Sequence, residues 1–185
     1  RISAQAALPW LERLRREQPA NPDVLARISR AHRELGNREA LLRALEEEAA
    51  ASPGEARSRC HLERAALLRE TGETGRALSA LADAGPIPEA LRIREALERE
   101  LGRHAQRAET LEALIASCGP DLEHHRALAS LYAGALRSPE AAIRHWEAAR
   151  RVLAPAHTRL APDLIWPEVG NALWKRWRRG DIELA

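Results

Sequence analysis

A chain of 185 residues with 45% apolar side chains is long enough to bury a core, but it has no Phe, one Tyr and few Val or Thr, which excludes a sheet-rich fold. Ala, Leu, Arg and Glu, all strong helix formers, dominate instead, so the expected fold class is all-α. The net charge of +2, from 29 basic and 27 acidic residues interleaved along the chain, excludes a polyanion-binding tail.

Proline and glycine then cut the chain into ten expected helices. The first, 3–18, carries Trp10 and Leu14; the second, 22–35, closes on Arg33-Glu34-Leu35-Gly36. A third, 38–51, places Leu41, Leu42 and Leu45 at helical spacing and stops before Pro53. The fourth, 55–71, closes on Arg69-Glu70-Thr71-Gly72, a near copy of the earlier phrase, and the fifth, 74–84, carries Leu78 and Leu81. The sixth, 87–101, closes on the third copy, Arg99-Glu100-Leu101-Gly102. The seventh, 104–117, stops at Gly119-Pro120-Asp121, where a glycine end is followed by a new acidic helix start. The eighth runs over 121–136, and Ser138-Pro139-Glu140 caps the ninth, 139–153, with Ile143, Trp146 and Leu153 along it. The tenth is 163–179, and an eleventh begins at Asp181.

Two helices per period of about 34 residues, each with one sticky face that it cannot bury alone, describe a repeat array whose neighbours stack into one continuous core. This pattern resembles the tetratricopeptide repeat. Trp166, Val169, Gly170 and Leu173 resemble that family's first-helix signature, while Ala142, Trp146 and Ala149, and Ala77, Leu81 and Ala84, resemble its second. Pro53, Pro120 and Pro155 match its closing proline. The third copy departs from the pattern, with Arg94 and Glu95 where an apolar and a small residue are expected.

The resemblance implies an α-solenoid of stacked antiparallel helix pairs in a right-handed superhelix. It divides the chain into a lone second helix at 1–19, repeats at 20–53, 54–86, 87–120 and 121–155, and an incomplete one at 156–185. The chain, opening at Arg1, is read as a segment of a longer protein. The implied function is a non-enzymatic scaffold that holds a protein or peptide, with acidic groups, on its concave helical surface. The alternatives are a nucleic-acid-binding helical repeat, or a structural spacer self-associating through exposed terminal repeats. The half-tetratricopeptide and pentatricopeptide types share the helix-pair pattern, but the recurring polar pairs of a base-reading code are not seen.

Projected onto this sequence, the family's groove positions put Arg33, Arg69 and Arg99 in one column, with Arg30, Arg92 and Arg126 beside it. Such a ladder would grip carboxylates or phosphates through paired N–H bonds. The competing reading is that cations suit helix C-termini anyway, with Glu34, Glu70 and Glu100 neutralising them. A second candidate patch is the run Trp174, Lys175, Arg176, Trp177, Arg178 and Arg179, basic residues interleaved with indoles. No catalytic, metal or cofactor residues are expected: His124 and His125 are adjacent and face different sides of their helix, no Gly-x-Ser-x-Gly elbow occurs, and no glycine-rich loop precedes a helix. Cys60 and Cys118 are far apart without metal-type spacing, which points to a reducing compartment, read as the cytoplasm. No apolar stretch approaches the roughly 20 residues of a membrane span.

Overall fold

The recurring phrase folds into one turn, made three times. Gly36, Gly72 and Gly102 adopt left-handed φ values of 68°, 76° and 64°, which side chains with a Cβ resist. Each glycine N–H donates to the carbonyl three residues back, that of Arg33, Arg69 or Arg99, at 3.0–3.2 Å. The next N–H, from Asn37, Glu73 or Arg103, reaches back five residues to the carbonyl of His32, Leu68 or Glu98 at 2.8–3.0 Å. This is the Schellman arrangement, and it satisfies carbonyls that the helix end would otherwise leave bare. The chain then re-enters a helix within two residues, so the two helices run back to back.

The computed structural model describes residues 3–153, which form α1 (Ala4–Glu17), α2 (Pro22–Glu34), α3 (Arg38–Ala51), α4 (Gly54–Glu70), α5 (Thr74–Asp83), α6 (Pro88–Glu100), α7 (His104–Cys118), α8 (Leu122–Ala133) and α9 (Pro139–Leu153). The expected tenth helix at 163–179 and the start of the eleventh lie outside the described residues. Polar side chains cap helix starts, one of them Asp121, the acidic start read from the sequence. Asn21 Oδ1 accepts from the N–H groups of Asp23 and Val24 ahead of Pro22, and Asp121 Oδ2 accepts from the His124 N–H at 3.1 Å. One boundary among the described helices moves by more than a residue: α8 ends at Ala133 rather than at 136. Gly134 caps it, and Leu136 and Ser138 donate back to the carbonyls of Leu131 and Tyr132, so the chain closes a wide turn with Arg137 at φ 51°.

Among the described residues the substantial packing joins each helix to the next in chain order, from α1 against α2 through α8 against α9. The core is correspondingly segmented. Val24, Ile28 and Ala44 meet Leu8, Leu11 and Leu14 at one end. Leu41, Leu45 and Ala49 meet Cys60 next along. A larger cluster joins Ala65 and Leu68 of α4, Leu78 and Leu81 of α5 and Leu97 of α6, and another joins Leu91 of α6 to Leu111, Leu114 and Leu128 of α7 and α8. No hairpin owns a private interior, and the fold is an α-solenoid of stacked antiparallel helix pairs.

Ion pairs tie helices two apart. Arg15 of α1 donates from Nη1 to both carboxylate oxygens of Glu47 on α3, at 3.1 and 2.9 Å, and Arg33 of α2 clasps Glu63 of α4.

Candidate functional site

The alternate helices α2, α4, α6 and α8 carry the arginines singled out above, and all six are exposed. Their surroundings differ. Arg33 is engaged: Nε and Nη2 donate to the two oxygens of Glu63 at 2.7 and 2.6 Å, a fork-to-fork geometry. That bond, above all, holds the guanidinium more firmly protonated than an ordinary arginine. Arg126 reaches Glu123 of its own helix at 3.3 Å, an exposed pair of little energetic consequence. Arg30, Arg69, Arg92 and Arg99 have no ion-pair partner among the described residues.

The partners expected from sequence are not the ones used. Adjacent residues point about 100° apart around a helix, so Glu34 does not reach Arg33, and Glu70 turns away from Arg69 to pair with Arg38 of α3. Glu63, the residue that does neutralise Arg33, was not legible from the repeat phrase, because it sits on the next first helix. The same alternate helices also present small side chains. Ala66 and Ser130 are exposed and Ala96 half-buried, while Leu62 tucks into the α4–α5–α6 core. The run Trp174, Lys175, Arg176, Arg178 and Arg179 lies outside the described residues.

The third repeat explains its own departure. Arg94 Nε donates to Glu98 Oε1 at 2.7 Å, and Thr110 Oγ1 of α7 donates to Glu98 Oε2 at 2.7 Å. Glu98 is only 2% exposed, so this is a buried carboxylate held by a cation on one oxygen and a hydroxyl on the other. Alongside, Arg107 of α7 donates to Glu95 at 2.7 Å. A polar seam therefore runs beside the apolar packing of Leu91 on Leu111 and Leu114 between α6 and α7, and these carboxylates are engaged inside the protein.

Two further titratable groups lie buried on α4. Cys60 is buried beside Glu48, and burial first, then that carboxylate's charge and hydrogen bond, pushes its thiol up to about 12, far from a reactive thiolate. Burial also lowers His61, followed by the charge of Arg64. Among the described residues no group of three or more His, Cys, Asp or Glu is placed to hold a metal ion, and no helix is long and apolar enough to cross a membrane.

No family model matches the chain, and no curated protein matches it. Solved structures do. A crystal structure of MamA protein superposes with a TM-score of 0.50 at 15% identity, over 85% of this chain and 87% of that one. MamA AMB-1 gives 0.49 at 16% identity, over 87% and 86%, and MamA 41-end from Desulfovibrio magneticus RS-1 gives 0.44 at 15%, over 84% and 88%. At these identities the likeness is one of fold, carried by the first of the three: this chain, like that one, is an all-helical repeat.

Proposed function

We propose that this chain is a non-enzymatic, tetratricopeptide-like scaffold that holds an extended, acidic protein segment along the surface of α2, α4, α6 and α8. In this reading the structural units are the repeats 20–53, 54–86, 87–120 and 121–155, and the first helix of each lines the trough. The observation that carries it is the set Arg30, Arg69, Arg92 and Arg99: exposed on alternate helices that also present Ala66, Ala96 and Ser130, and without an internal ion-pair partner among the described residues. Arg33 sits in the same column but is already clasped by Glu63, so the reading assigns it to holding α2 against α4 rather than to the ligand. A rigid array that presents guanidinium forks in advance loses little entropy when carboxylates dock.

The test is fluorescence anisotropy with labelled Glu- and Asp-rich peptides. The triple substitution Arg69→Glu, Arg92→Glu and Arg99→Glu is expected to weaken binding at least about tenfold with the helical circular dichroism unchanged, since like charges across an interface cost a kcal/mol or more. Arg33→Gln is expected to lower stability more than affinity. Equal binding by wild type and triple variant, or none by either, defeats the reading.

A further inference from the structure

A second set of polar residues lies away from the arginine surface, where α9 meets α8. His125 of α8 and His145 of α9 face each other through their Nδ1 atoms at 3.2 Å, with ring centroids 5.5 Å apart and planes at 36°. The Tyr132 ring of α8 stacks on His145 at 5.5 Å with planes 6° apart, and its hydroxyl donates to Glu112 of α7 at 2.8 Å. Glu112 also stands 3.9 Å from the far nitrogen of His145, Nε2. His125 is buried, at 8% exposure, and the His145 side chain is 18% exposed.

An imidazole-to-imidazole bond needs one N–H and one lone pair. With both rings neutral, one donates and the other accepts. A first proton is tolerated: an imidazolium still donates to a neutral ring, and Glu112, beside Nε2, suits His145 as its seat. A second proton removes the only acceptor and places two cations at hydrogen-bond distance in a half-buried seam. The bond then becomes a repulsion.

Among the described residues α9 packs extensively along α8, with Trp146, Val152 and Leu153 half-buried, but its fully buried contacts are made by small side chains. Its buried side chains are Ala141, Ala142 and Ala149, one methyl group each, and Ile143 is 41% exposed. None of its residues joins the four apolar clusters described above. The polar pair thus sits inside a close α8–α9 contact built on small side chains, where a repulsion between the two rings has no long side chain to absorb it.

We propose that the His125–His145 bond is an acid-released latch: double protonation of the pair loosens α9 from α8. The groups facing the pair set its poise. From α8 the carboxylate of Asp121 favours charge on His125 and His124 opposes it; from α7 Glu112 favours charge on His145; from α9 Arg144 opposes it. Glu109 of α7 acts on Tyr132 in the direction opposite to Arg144. Burial is the largest influence on both rings and pushes both below the usual histidine value of 6.5, and the charge of His125 further disfavours charge on His145. A group depressed in the closed state binds protons more readily once opened. The clasp is therefore fully effective above about pH 6.5 and is lost as pH falls below it, in two steps that belong to the pair rather than to either ring.

Hydrogen exchange of the full chain, read by mass spectrometry at pH 8 and pH 5.5 and corrected for intrinsic exchange chemistry, tests this. Protection of α9 amides is expected to fall at least about tenfold more than that of α2 and α3, because each extra proton bound by the open form is worth a decade per pH unit. In His145→Gln, which keeps a hydrogen-bonding group but cannot charge, that differential disappears. The proposal is overturned if wild-type α9 and α2–α3 respond alike, or if His145→Gln keeps the differential. Should the variant leave α9 open at both values, the imidazole Cε1 protons of the wild type decide. Two separated steps below 6.5 support the latch, and two independent ordinary titrations overturn it.

Discussion

Gly72 does its work with backbone alone. A Cβ built on it meets nothing within 4 Å, so Gly72→Ala is opposed only by its φ of 76°. We expect that substitution to cost about 1 kcal/mol in urea denaturation, the price of a left-handed alanine. Gly75, inside the first turn of α5 with no positive φ and equally open space, is the control, and Gly75→Ala is expected to raise stability by about 0.5 kcal/mol. The glycines were legible in the sequence because the phrase around them repeats. The partners of the arginines were not, since an ion pair depends on where the next helix lies: Arg33 finds its acid 30 residues on, and Arg38 finds Glu70 32 residues on. The same holds for His125, whose partner His145 lies 20 residues away across a turn that no local pattern specifies.

Helices came through clearly because prolines and capping residues mark their starts and glycines their ends, two signals that need no knowledge of tertiary contacts. The sequence was least informative for α6, where Arg94 and Glu95 look like decay of a repeat. The structure shows compensation instead, since Thr110 and Arg107 on α7 supply the donors that the carboxylates of Glu98 and Glu95 need. Two changes must be read together, and they lie on different helices. Glu98→Ala is accordingly expected to destabilise by about 2 kcal/mol, because it strands the Thr110 hydroxyl and leaves Arg94, 28% exposed, without its acid. Combining Glu98→Leu with Arg94→Met and Thr110→Val is expected to recover most of that loss, as apolar replacements of buried ion pairs do. Urea midpoints of the two variants check both statements.

Because substantial packing runs only between consecutive helices among the described residues, stability is a sum of local terms rather than a property of one centre. Amide exchange is expected to grade along the array. The α4–α5 hairpin, with Ala65, Leu68, Ala77 and Leu81 at 0–1% exposure, should be protected at least about tenfold more than α1, which buries no residue and leaves Trp10 72% exposed. Uniform protection throughout would contradict a sum of local terms. The turn shared by Gly36, Gly72 and Gly102 carries a further implication for how such a molecule changes size. Its three copies hold matching φ values and matching hydrogen bonds. A gene segment spliced in or out between one glycine and the next would therefore meet the rest of the protein at joints already in use, lengthening or shortening it by whole hairpins while every other hairpin keeps its neighbours.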